Sequence, residues 1–94
     1  MQAIYKLLVW LVVDAASPAN NKRMNEAYLK KFGKYLKKLR EAQHLTQDDL
    51  GVNGISRSMI SLIELGKTDL TVSKLKIIAD NLGLKVSDLF EFDS

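Results

Sequence analysis

From Tyr28 onward the apolar positions recur at three- and four-residue steps. Tyr28, Phe32, Tyr35/Leu36, Leu39 and Ala42 predict an amphipathic first helix that ends near Gln43. Thr46 opens a short second helix, confined by Gly51 and Gly54. A third runs from a Ser56 cap to about Leu65, with Ile60 and Ile63 facing inward and Ile55 just before the cap. Val72, Leu75, Ile78/Ala79 and Leu82 form the stripe of a fourth helix after Thr71, and Ser87 caps a fifth short turn carrying Leu89 and Phe90. No strand-like alternation of useful length follows residue 20. The expected fold is therefore all-α, five helices packed on one another through short connections.

The boundaries carry their own chemistry. In Thr46-Gln47-Asp48-Asp49 the hydroxyl can take the amide three residues on, while the Asp49 carboxylate reaches back to the cap amide. Both aspartates also sit at the positive end of the helix dipole. Gly66 and Gly83 are placed to end the third and fourth helices. His44 is placed for the left-handed residue after the first, a role histidine can fill. As the lone histidine of a chain without cysteine, it reads as a turn residue and not a metal ligand or catalyst.

The N-terminus breaks the pattern. Ile4 to Val13 is almost wholly apolar, and residues 14–23 read as a polar linker. Ten apolar residues are about half of what a membrane-spanning helix requires. Residues 1–23 are thus set apart from a 24–94 domain and stay open between three readings. They are a non-native extension ahead of a true start at Met24, an ordered or self-associating contact arm, or a targeting segment.

Charge sharpens the picture. Residues 22–40 carry a local +7 and residues 41–94 a local −4, although the whole chain is only +3. The basic run is either a solvated helix face or an electrostatic footprint for nucleic acid or an acidic partner. There is no paired acid/base constellation, metal cluster or phosphate loop, so an enzyme is not expected and no cofactor is implied. The absence of cysteine fits a reducing compartment, and a cytoplasmic location is expected.

Two short helices joined by a glycine turn, the second opening with small polar residues and an arginine, present a helix end suited to the edges of DNA bases. With Ile60 and Ile63 turned inward, Ser56, Arg57, Ser58, Ser61 and Leu62 share the remaining surface. Arg57 suits a bidentate contact to guanine, or a phosphate contact with the same guanidinium. Ser58 and Ser61 can bond several bases, and Leu62 either meets a thymine methyl or packs.

Gly33, Leu36, Leu39-Arg40, Leu45-Thr46-Gln47, Leu50, Gly54-Ile55-Ser56-Arg57-Ser58, Ile60-Ser61, Ile63-Glu64, Gly66-Lys67, Leu75, Ala79, Leu82-Gly83 and Leu89-Phe90 together resemble the lambda-repressor-like helix-turn-helix domains of the XRE (Cro and phage-repressor) family. The resemblance implies a five-helix DNA-binding domain whose third helix enters the major groove. It implies phosphate contacts from Gln47 and Thr46 at the head of helix 2, with Lys67, Lys34 and Lys38 placed for the same task. It also implies a partly buried scaffold salt bridge between Arg40 and Glu64.

Three departures from the family pattern stand out. Leu50 and Gly54 are separated by one residue fewer than usual, and Gly51 replaces a small alanine, which keeps the close helix–helix approach at a cost to the helix of roughly 1 kcal/mol. Asp69 sits where relatives place cations, which turns that loop away from phosphates.

The function implied is a sequence-specific transcriptional regulator, most simply a repressor, binding an inverted repeat as a homodimer. Leu84, Val86, Leu89, Phe90 and Phe92 are the candidate dimer surface. Controller proteins of restriction–modification systems are compact members of the same family. The alternative is an antitoxin that neutralises a toxin partner, with residues 4–13 as its binding arm.

Overall fold

A computed structural model describes residues 18–93 of the chain, with side chains placed from 25 to 92. The apolar segment 4–13 lies outside the described residues. Helix α1 spans Pro18–Ala42, α2 Gln47–Leu50, α3 Arg57–Glu64 and α4 Val72–Leu82. A run of 3-10 turns over Val86–Asp93 completes the set, broken at Phe90, whose backbone leaves the helical region at φ −114°, ψ 15°. The described residues form no strand, so the all-α expectation holds.

The predicted stripes converge on one core. Phe32 and Leu36 from α1, Leu50 from α2, Ile60 and Ile63 from α3, and Ile78, Ala79 and Leu82 from α4 are buried with Ile55 and Leu89. Burying a leucine or isoleucine side chain contributes about 1.5–3 kcal/mol, so these few residues supply most of the drive to fold. The aromatic residues form a second layer along the middle of α1. Phe90 packs on Phe32 with ring centroids 5.2 Å apart, and Phe92 lies 5.5 Å from Tyr28 and 5.6 Å from Tyr35.

Three helices stop by one device, in which a left-handed residue lets two amides reach back to the last turn. After α1 that residue is His44 (φ 59°), with its amide on the Glu41 carbonyl and the Leu45 amide on Arg40. Gly66 (φ 71°) and Gly83 (φ 69°) do the same after α3 and α4. The turn residue expected of His44 is therefore observed. Close approach explains Gly33: a Cβ there would lie 2.3 Å from the Ile63 carbonyl oxygen, so α1 and α3 touch backbone to backbone.

Three local expectations are corrected. The first helix begins at Pro18, inside the stretch read as a linker, and proline is at home in a first helical turn. Ala42 is exposed, and Gln43, also exposed, bonds across to the Leu82 carbonyl at 2.9 Å. Gly51 lies just past α2 and not within it, so the expected helix penalty does not apply there. The expected close approach at Gly51 is observed, since a Cβ would sit 2.7 Å from the Arg57 amide nitrogen. Among the described residues no helix is long and apolar enough to cross a membrane.

Candidate nucleic-acid interface

The site is assembled from two helix starts and the turn between them. At the head of α2 the Asp49 amide donates to Thr46 Oγ1 at 3.1 Å, and the Thr46 amide donates to Asp49 Oδ2 at 2.8 Å. This completes the predicted capping box. The bond from Thr46 holds the Asp49 carboxyl below the usual carboxylate range. At the head of α3, Ser56 Oγ accepts the Met59 amide at 3.1 Å. Ser56 is thereby committed as a cap, although its hydroxyl can still donate.

The shortened connection closes through two consecutive residues at positive φ, Asn53 (60°) and Gly54 (96°). A residue the pattern did not point to holds it in place. From α4, Asn81 Nδ2 donates to the carbonyls of Leu50 (3.2 Å) and Val52 (3.1 Å), while its Oδ1 accepts Asn53 Nδ2 at 2.7 Å. The missing residue thus leaves α2 ending at Leu50 and a tight turn tied to the neighbouring helix.

Beyond the turn, α3 sorts its side chains as its period requires. Ile60 and Ile63 are buried, and Arg57, Ser58 and Leu62 are exposed with Ser61 half-buried. Those four outward residues line one shallow hollow with Gln47 from α2. Five of the residues expected to act together are therefore side by side on one face.

Beneath that face, Glu64 accepts Arg40 Nε at 2.6 Å, Arg40 Nη2 at 3.0 Å and Gln47 Nε2 at 3.1 Å. Arg40 spends its remaining terminal nitrogen on the Leu45 carbonyl at 2.7 Å. Its bonds to Glu64 push the guanidinium above even the usual arginine range. The predicted scaffold pair is present and buried, and it also anchors Gln47. That amide has a second N–H with which to meet a phosphate.

The cations of α1 lie at increasing angles from the face turned to α3. Gly33 and Arg40 mark the line of α1 that faces α3, and Lys30 and Lys37 fall beside it by helix geometry, with Lys34 next and Lys38 farther round. Lys67 is exposed just beyond α3, and Lys30 crosses Gly66 beside it. Lys30 and Lys37 were not singled out by sequence, where only their place on the wheel relative to Gly33 could have marked them. Asp69 instead borders an apolar groove with Tyr28, Phe32 and Phe90, next to the aromatic layer.

Comparison with known proteins agrees with this geometry. A family model described as Helix-turn-helix matches residues 36–89. The crystal structure of a restriction-modification controller protein from Aeromonas hydrophila superposes with a TM-score of 0.66 at 32% identity, covering 68% of this chain and 98% of that one. No curated protein matches the chain by sequence. A capped α2, a tight turn, an α3 with a buried and an open face, and a family match over the same residues lead to one assignment: the chain belongs to the XRE-type helix-turn-helix family of DNA-binding transcriptional regulators.

Proposed function

We propose that this protein is a repressor that binds an inverted repeat as a homodimer, setting the start of α3 into the major groove of each half-site. The observation that carries the reading is the open face of α3, where Arg57, Ser58, Ser61 and Leu62 stand beside Gln47. In this reading Arg57 takes a guanine edge, the two serines add adaptable bonds, and Leu62 meets a thymine methyl. Ser56 contributes through its hydroxyl proton while capping the helix.

Thr46, Gln47 and Lys67 hold phosphates on either side, with Lys30 and Lys37 beside them on α1 and Lys34 and Lys38 farther round the same helix. Residues 24–94 are the reading unit, with eleven basic and ten acidic side chains. Affinity therefore comes from placement and not from bulk charge.

Two recognition helices on one face of a duplex call for half-sites about 34 Å apart. Leu89 is 1% exposed and belongs to the core of its own protomer. Half-buried Leu84, Val86, Phe90 and Phe92 remain as the surface from which a partner copy is approached. Occlusion of a promoter asks for nothing beyond DNA binding and dimerisation, which supports repression. The match over nearly the full length of the controller protein favours restriction–modification genes as the regulated ones.

Titration of the full chain against duplexes bearing one or two half-sites, followed by native mass measurement, tests the dimer. Two chains per two-site duplex, bound cooperatively, are expected, and one chain per site without cooperativity contradicts it. A footprint over the DNA upstream of the chain's own gene and of an adjacent endonuclease gene tests the controller reading.

A further inference from the structure

Asp49 is explained by the cap of α2, but its neighbour Asp48 is not. The Asp48 carboxylate lies 3.4 Å from Nε of Arg57, both side chains being largely exposed. A carboxylate at the head of α2, beside Thr46 and Gln47, opposes the phosphates those residues are placed to meet. The geometry shows what it offers in exchange. The closest approach is to Nε, and at 3.4 Å in the open the pair leaves the guanidinium N–H groups able to donate to a bidentate partner. Arg57 also lines two hollows, one shared with Asp48 and one with Ser58, Ser61 and Leu62. It therefore stands between the phosphate side of the site and the base side.

We propose that Asp48 is a positioning residue for base recognition: it pairs with the Arg57 guanidinium, aims it at a guanine edge and keeps it off the phosphates of non-cognate DNA. The inference rests on reading Arg57 as a base contact. A phosphate attracts an arginine wherever it lies and so adds equally to every sequence, whereas the guanine edge rewards one orientation. Restricting the orientation raises the contrast between the two. The pair is too long for a tight hydrogen bond and open to water, so it costs little to adjust as DNA arrives.

The test uses the full chain as wild type, Asp48→Asn, Arg57→Ala and the double variant. Each is titrated on a duplex obtained by selection and on a scrambled duplex of equal length, across a salt series. Asp48 and Arg57 are exposed, so folding, checked by circular dichroism, is expected to be unchanged.

Asp48→Asn is expected to bind the scrambled duplex about fourfold more tightly, with the salt slope steeper by about 0.9, the signature of one added phosphate contact. Its preference for the selected duplex falls about tenfold. In the Arg57→Ala background Asp48→Asn gives only a smaller gain, equal on both duplexes, and leaves the preference unchanged. The proposal is overturned if Asp48→Asn strengthens both duplexes equally, or acts equally without Arg57, because the carboxylate is then only a repulsive charge. Wild-type chain binding both duplexes alike refutes the regulator reading instead, and the scrambled-duplex slopes still decide whether Asp48 restrains Arg57.

Discussion

Replacing Glu64 with alanine strikes the scaffold beneath the reading face. The Glu64 side chain is 4% exposed and that of Arg40 9%, and the carboxylate is the shared acceptor of Arg40 Nε, Arg40 Nη2 and Gln47 Nε2. No buried side-chain nitrogen or oxygen among the described residues lacks a partner, so this network is complete as it stands. Removing Glu64 strands a guanidinium that no water can reach easily, a change worth about 3–5 kcal/mol. A domain of this size has about 4–11 kcal/mol in all, so most of the stability goes. With a urea slope near 1 kcal/mol per molar, the denaturation midpoint falls by roughly 3 M, or the variant does not fold.

The reasoning makes a second demand that separates it from simple loss of contacts. Arg40→Met with Glu64→Leu together removes both charges and leaves apolar bulk, so the double variant should be more stable than Glu64→Ala alone. Equilibrium urea unfolding followed at the helix signal measures both. A Glu64→Ala midpoint within about 0.5 M of wild type, or a double variant worse than either single change, refutes the account.

Gly33→Ala gains about 1 kcal/mol of helix propensity but drives a methyl to 2.3 Å and 2.6 Å from two backbone oxygens of α3. Neither oxygen can swing aside, so the melting temperature should drop, and a rise would show that the helices part freely. Asn81→Ala removes the ties to Leu50, Val52 and Asn53 and should cost about 1–3 kcal/mol in urea unfolding. Asn81→Asp should cost more, because it turns a carboxylate toward two carbonyls. The lowered folded pKa of Asp49 means that its stabilising effect is present above the ordinary carboxylate pKa and is lost as the pH falls through the folded value, below about pH 4. Asp49→Asn should flatten that part of the acid limb in melts across this range, and an unchanged limb would remove the cap from the explanation.

What could be read from the chain was local. Caps at Thr46, Ser56 and Thr71, stops at His44, Gly66 and Gly83, and the inward isoleucines of α3 depend on neighbours within one turn, so pattern reaches them. The stripe that predicts α1 runs at alternating four- and three-residue steps, a period of 3.5. A helix of 3.6 residues per turn drifts away from that line. Ala42 therefore ends up exposed while Arg40 turns inward, and the exposed Gln43 bonds across to the end of α4.

The start of α1 was hidden because residues 14–23 carry no apolar stripe, and periodicity marks only helices with one. Asn81 was hidden for a different reason. Its partners lie 28 to 31 residues away, and nothing in its own surroundings distinguishes it from a solvated helix position. The pairing of Asp48 with Arg57 likewise spans the turn, and it appears only once the angle between α2 and α3 is known.

The central claim is that α3 reads sequence. The most direct measurement is selection of duplexes from a random pool by the full chain, run in parallel with Arg57→Ala. The account predicts an enriched palindrome with half-sites about ten base pairs apart. It also predicts that one guanine position in each half relaxes when Arg57 is removed, at a cost of about 1–3 kcal/mol there. A folded wild-type chain that enriches no sequence, or an Arg57→Ala chain that returns the same motif with every position intact, would contradict it.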